Sequence, residues 1–124
     1  MIAGDTTSVS AYFNGDTGSD VERIEIAFQS GELILPAAVL TELFSDPSLT
    51  PQLHSILSRF EFLETQPGHW VRAGHTRRRL LSLGLRAKLG DALIAQCCID
   101  NDVSLITRDP DFRHFVKHCG LMLA

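Results

Sequence analysis

Short apolar runs alternate with amphipathic stretches along all 124 residues. Met1–Gly4, Leu33–Leu35, Phe62–Leu63 and Val103–Ile106 are too short for helices and read as buried strands, with Leu121–Leu123 as a possible last one. Between them, apolar positions recur at helical spacing. The spacing predicts a short helix over Thr7–Phe13, stopped by Asn14-Gly15. A second runs over Asp20–Ser30, with Val21, Ile24, Ala27 and Phe28 on one face and Gly31 as its stop. Pro36 opens a third, at a position where its missing N–H costs nothing. Val39, Leu40, Leu43 and Phe44 form that helix's apolar face, Glu42 lies towards its edge, and Asp46-Pro47 ends it. Further helices are predicted over Pro51–Phe60, over His69–Leu83 with a break at Gly74, and over Asp91–Asp100 after a loop from Gly84 to Gly90. A short helix over Asp111–His118 follows. Alternating strands and helices predict an α/β fold on a mainly parallel sheet. No repeat or Pro/Gly/Ser linker divides the chain, so residues 1–124 read as a single domain.

Composition narrows the class. At 44% hydrophobic and 21% charged residues, the chain has the balance of a globular protein. No apolar run approaches a membrane span and no signal peptide is visible, so a cytoplasmic location is expected. Cys97 and Cys98 are neighbours in an apolar helix and, with Cys119, make no disulfide framework; they read as small core residues. His114 and His118 lack further ligands at zinc spacing. Trp70 and Tyr12 are too few for a stacking platform and read as packing residues. There is no Gly-rich phosphate loop.

Charge is unevenly spread. Residues 1–64 hold ten acids and two bases, a net of −8, and residues 65–124 hold nine bases and five acids, a net of +4. Arg72, Arg77, Arg78, Arg79, Arg86 and Lys88 fall between Trp70 and Gly90 with no acid among them. Such a stretch suits a phosphate backbone, and equally a solvated helix face.

Four acids lie at the edges of predicted elements: Asp5, Glu42, Asp91 and Asp109. In an open parallel sheet, loops at the carboxyl ends of strands converge on one site. Clustered carboxylates need a cation, and Mg²⁺ or Mn²⁺ with oxygen ligands is the natural occupant. Such a centre can hydrolyse a phosphodiester. Thr6 and Thr107, each beside an acid, could fix a carboxylate by hydrogen bonding. Each acid also has a plainer role: Asp5 and Asp91 as helix caps, Asp109 in an Asp-Pro turn, Glu42 on a solvated helix edge.

The chain carries Asp5-Thr6 with Val9-Ser10-Ala11, then Leu35-Pro36 through Thr41-Glu42-Leu43, then Gly90-Asp91-Ala92-Leu93-Ile94-Ala95, and last Leu105-Ile106-Thr107-Arg108-Asp109 with Asp111-Phe112. In this order the segments make a pattern that resembles the PIN-domain family, in particular the short VapC-type toxins of bacterial toxin–antitoxin pairs. The resemblance implies a three-layer α/β/α sandwich and Mg²⁺- or Mn²⁺-dependent endoribonuclease activity. It also implies a homodimer and a cognate antitoxin. By the resemblance Asp5, Glu42, Asp91 and Asp109 are the acidic quartet and Thr107 a supporting hydroxyl. Arg77, Arg78, Arg79, Arg86 and Lys88 would then hold RNA. The alternatives are a non-catalytic RNA-binding or protein-interaction module of the same fold, and a nuclease acting on single-stranded DNA or flaps.

Overall fold

A computed structural model describes residues 1–124. Four parallel strands, β1 (Ile2–Gly4), β2 (Leu33–Pro36), β3 (Phe62–Leu63) and β4 (Leu105–Ile106), form one sheet in the order β3-β2-β1-β4. Ala3 pairs with Ile34 on one side and with Leu105 on the other. The chain therefore winds outward from β1 to β3 and then returns across the sheet to β4. With right-handed crossovers, the two directions place helices on opposite faces and give three layers. The strand order reverses between β1 and β4, and ligands bind beyond the carboxyl ends of strands at such a point.

Seven helices cover the sheet: α1 (Thr6–Phe13), α2 (Ser19–Gln29), α3 (Ala37–Phe44), α4 (Pro51–Leu57), α5 (His69–Ser82), α6 (Leu89–Asp100) and α7 (Arg113–Cys119). A 3₁₀ turn over Pro110–Phe112 precedes α7. Each strand is short, but Ala3, Leu35, Leu105 and Ile106 are almost fully buried. They join Val9, Ile24, Val39, Ile94, Phe112 and Phe115 in one core. Gly4 fits because nothing larger can. A Cβ there would meet Val9 Cγ2 at 2.9 Å and Ile24 Cδ1 at 3.0 Å, so α1 and α2 close directly on β1. No helix is long and apolar enough to cross a membrane.

Several sequence expectations change in detail. Pro36 is the last residue of β2, still extended at φ −53° and ψ 143°, and Ala37 is the first helical residue of α3. The helix from Pro51 stops at Leu57 rather than Phe60. No break occurs at Gly74: α5 is continuous, because Ala73 and Leu80 are buried on one side and the glycine faces open space. The last predicted strand is reduced to one bridge, Leu105 to Leu123. Cys97 and Cys98 are core residues as expected, and burial pushes the Cys97 thiol up to about 11. Tyr12 packs against Phe13 and Phe28, whereas Trp70 does not behave as a packing residue and is 68% exposed.

Candidate metal centre

Asp5 directly follows β1. It occupies the N-cap position of α1 but makes no capping bond. Instead its Oδ2 accepts hydrogen bonds from Thr7 Oγ1 and Thr107 Oγ1, both at 2.8 Å. It is 3% exposed, and burial raises its pKa against the lowering effect of these two hydroxyls. Thr107 follows β4, on the other side of the switch point. Its oxygen also accepts the backbone N–H of Asp109 at 3.0 Å. One hydroxyl therefore ties the end of β1 to the loop that carries Asp109.

Asp109 both turns and points. Its Oδ1 accepts the Asp111 backbone N–H at 2.9 Å, capping the 3₁₀ turn. That turn brings Asp111 back beside it. Carboxylate oxygens of Asp91, Asp109 and Asp111 lie within 4.8 Å of one another. Asp91 is not a cap: Lys88 takes that position and Asp91 is the third residue of α6, in its first turn. Its Oδ2 is buried with no hydrogen-bond partner. Burial, then the charges of Asp109 and Asp5, push its pKa up to about 6. Glu42 is exposed on α3, and Thr6 Oγ1 donates to its Oε1 at 3.0 Å. Its carboxylate lies 3.9 Å from where a Cβ on Gly90 would stand, beside Asp91.

The quartet expected from the sequence is thus drawn to one end of the sheet. Asp111 joins it, a residue that the sequence pattern marks only as the start of the last helix. Its signal was the Asp-Pro-Asp spacing, which lets one tight turn present two carboxylates on one side. An unpartnered buried carboxylate oxygen among converging acids fits a hard divalent cation, and the all-oxygen donor set suits Mg²⁺ or Mn²⁺. No other group of three His, Cys, Asp or Glu side chains converges in this way, so the zinc reading of His114 and His118 has no partners.

The sequence reading also passed over a clamp that holds the β4 loop. Arg108 lies between Thr107 and Asp109 and points away from the acids. Its Nε donates to Asp20 Oδ2 at 2.7 Å, and its Nη2 to Asp20 Oδ1 and to Thr17 O, both at 3.1 Å. Ser8 Oγ, fully buried, adds a bond of 2.8 Å to Asp20 Oδ2. The Arg108 guanidinium, followed by the Ser8 hydroxyl, lowers the Asp20 pKa to about 2 despite opposing burial. Gly18 leaves room for the pair: a Cβ there would meet Asp20 Oδ1 at 2.6 Å, and its φ of +146° disfavours other residues.

The basic stretch divides. Arg72 forms a two-pronged pair with Asp100, at 3.0 and 2.7 Å, and Arg77 Nε donates to Ala87 O at 2.8 Å. Both tie α5 to the α6 region. Arg86 faces Asp111 at 3.7 Å, and Lys88 acts on Asp91 by its charge. Arg78 is exposed beside Leu81 and Leu89, while Arg79 lies with His75, His118 and Cys119 in a separate depression. The largest groove, about 500 Å³, is lined by Phe28, Ile56 and Phe60 and by none of the clustered acids.

The PIN domain family model matches residues 2–117. The fold is similar to that of VapBC2 from Rickettsia felis bound to a DNA fragment from their promoter, with a TM-score of 0.72 and 22% identity over 100% of this chain and 98% of that one. It is also similar to FitAcB from Neisseria gonorrhoeae, with a TM-score of 0.70 and 16% identity over 99% and 96% of the two chains. No curated protein matches the chain.

Proposed function

Because the chain belongs to the PIN domain family, we propose that it is a metal-dependent endoribonuclease, the toxin of a toxin–antitoxin pair. The observations that carry this reading are the convergence of Asp91, Asp109 and Asp111 and the buried Asp91 Oδ2 that has no partner. Asp91, Asp109 and Asp111 would hold a divalent ion, with Asp5 and Glu42 beside them. When bound, Mg²⁺ or Mn²⁺ supplies charge stabilisation to the phosphodiester and its leaving oxygen.

The chain's own residues do the rest. Thr7 and Thr107 fix the Asp5 carboxylate, and Thr6 orients Glu42. The Arg108–Asp20 clamp keeps Thr107 and Asp109 in register with β1. Arg86 and Lys88 stand next to the acids and would take flanking phosphates, and the exposed Arg78 would extend that contact. Arg77 and Arg79 would act less directly, since Arg77 already bonds Ala87 and Arg79 sits in another depression. The likeness to VapBC2 supports an antitoxin as protein partner, and a homodimer is the expected assembly.

The test is thermal unfolding with Mn²⁺ titrated into wild type, Asp5→Asn and Asp91→Asn, with Ca²⁺ as a charge control. A saturable rise is expected in wild type, of about 2.7 kcal/mol at a hundred times Kd, and none in either variant. Transcriptome-wide mapping of new RNA ends after induction should show cuts with wild type that Asp91→Asn does not make. Equal cutting by both proteins, or none by wild type, would overturn the reading.

A further inference from the structure

A groove of about 330 Å³ opens beside the acids, between α3, α5 and α6. Glu42 and Gly90 belong to its lining, so it is continuous with the metal centre. Ala37 and Ala38 of α3 and Leu89 and Leu93 of α6 make it apolar. The small residues leave free the space that larger side chains would fill. The start of α5 makes another wall. His69 is 1% exposed, and its Nδ1 finds no hydrogen-bond partner. The nearest acid, Asp100 Oδ2, is 3.8 Å away and already bonded to Arg72. Burial lowers the His69 pKa, which favours a neutral ring.

Trp70 stands against this histidine with ring centroids 4.8 Å apart and planes at 80°. The contact fixes the indole edge-to-face while 68% of the residue stays exposed. A large aromatic braced against a buried ring and left mostly in solvent at the lip of an apolar groove offers its open face to a ligand. The groove's volume is near the lower end for small-molecule sites, which suits a single planar ring and its sugar better than a partner helix.

We propose that this groove is a nucleobase subsite, in which a base next to the scissile phosphate stacks on Trp70 while that phosphate lies at the acidic centre. The inference rests on the nuclease reading and adds where the substrate is gripped. Stacking is tolerant of base identity because every base has a π-face. The subsite therefore binds single-stranded RNA and selects against a paired base, which cannot leave its stack without cost.

Trp70 is the only tryptophan in the chain, so its fluorescence reports directly on the groove. The experiment titrates a random-sequence RNA tetranucleotide pool into the full chain with Ca²⁺ present. A ribose-phosphate tetramer of the same backbone without bases is titrated alongside. Saturable quenching by the pool and none by the abasic tetramer is expected. Ala38→Leu, which narrows the groove, should weaken the quenching by about tenfold in affinity while keeping the Mn²⁺-induced rise in Tm. Absent quenching, or equal quenching by the abasic tetramer, would overturn the subsite. So would a blue shift of Trp70 emission that grows with protein concentration without RNA, which would mean that a second copy covers the groove. Quenching by the pool, together with no new RNA ends after induction of the wild type, would sink the nuclease reading and leave a base-binding groove beside the acids.

Discussion

Thr107 carries more of the site than its size suggests. Its hydroxyl donates to Asp5 and accepts from the Asp109 backbone, so one proton and one lone pair join two acids from different strands. Thr107→Val keeps the shape and removes both bonds. Groups that orient ligands typically contribute 10–100-fold in metal affinity, so Mn²⁺ titration of Thr107→Val should show a Kd about tenfold weaker, and Thr107→Ser should restore it. An unchanged Kd in the valine variant would refute this role. Arg108 acts in the opposite direction, holding the loop from outside. Arg108→Ala would leave Asp20 buried with only Ser8 as a side-chain partner. A buried carboxylate that loses its cation is costly, so Arg108→Ala should lower the stability of the fold. Urea unfolding measures it; Ser8→Ala, which removes one neutral donor, should cost about 1 kcal/mol.

At the scale of elements, α5 is a helix that propensity alone would interrupt. Gly74 has no steric need to be glycine: its φ is ordinary and a Cβ would meet nothing within 4 Å. Gly74→Ala should therefore raise stability by about 0.5–1 kcal/mol, read as a higher urea midpoint at unchanged slope. A loss of stability would mean that the glycine serves a contact made by another molecule. The helix tolerates Gly74 because Arg72–Asp100, Arg77–Ala87 O and the buried Ala73 and Leu80 fix it to its neighbours. The same ties explain why the basic stretch is not one continuous patch. Two of its six cations are occupied in joining α5 to the α6 region, and the rest face different ways.

For the whole molecule, gathered acids make stability depend on pH in a metal-dependent way. Asp91, with its pKa raised to about 6, contributes stability that is full below its unfolded value near 3.8 and lost as pH rises through 6. Asp5 is shifted in the same direction. Asp20 and Asp100 are lowered, and their contribution is present above 3.8 and lost as pH falls, for Asp20 through about 2. The metal-free protein should therefore be most stable between about pH 4 and 5. It should lose on the order of 1 kcal/mol towards pH 7, once solvent screening of the partly exposed Asp91 is allowed for. Saturating Mn²⁺ should reverse the slope, because binding requires ionised carboxylates. Tm measured from pH 4 to 8 in EDTA and in Mn²⁺ checks both arms, and Asp91→Asn should flatten the EDTA curve. A flat EDTA curve for wild type would contradict the clustering.

Periodicity and short-range chemistry were enough for much of this. Strands two to four residues long could be read because they are continuous apolar runs between helical patterns, and Gly31 ended α2 where its φ of +75° allows. Asp5, Glu42, Asp91 and Asp109 could be picked out because each lies at an element edge, where a parallel fold gathers side chains. Chain pattern could not supply the long-range pairings. Asp5 meets Thr107 across 102 positions and Asp20 meets Arg108 across 88, and only the β3-β2-β1-β4 order brings them together. Exposure was equally hidden, since Trp70 looks like any core aromatic until α3, α5 and α6 pack and leave it at the lip of a groove. Local pattern is set by neighbours a few residues away, and so is visible in sequence; charge clusters, clamps and clefts depend on which distant segments the core draws together, which only the tertiary structure decides.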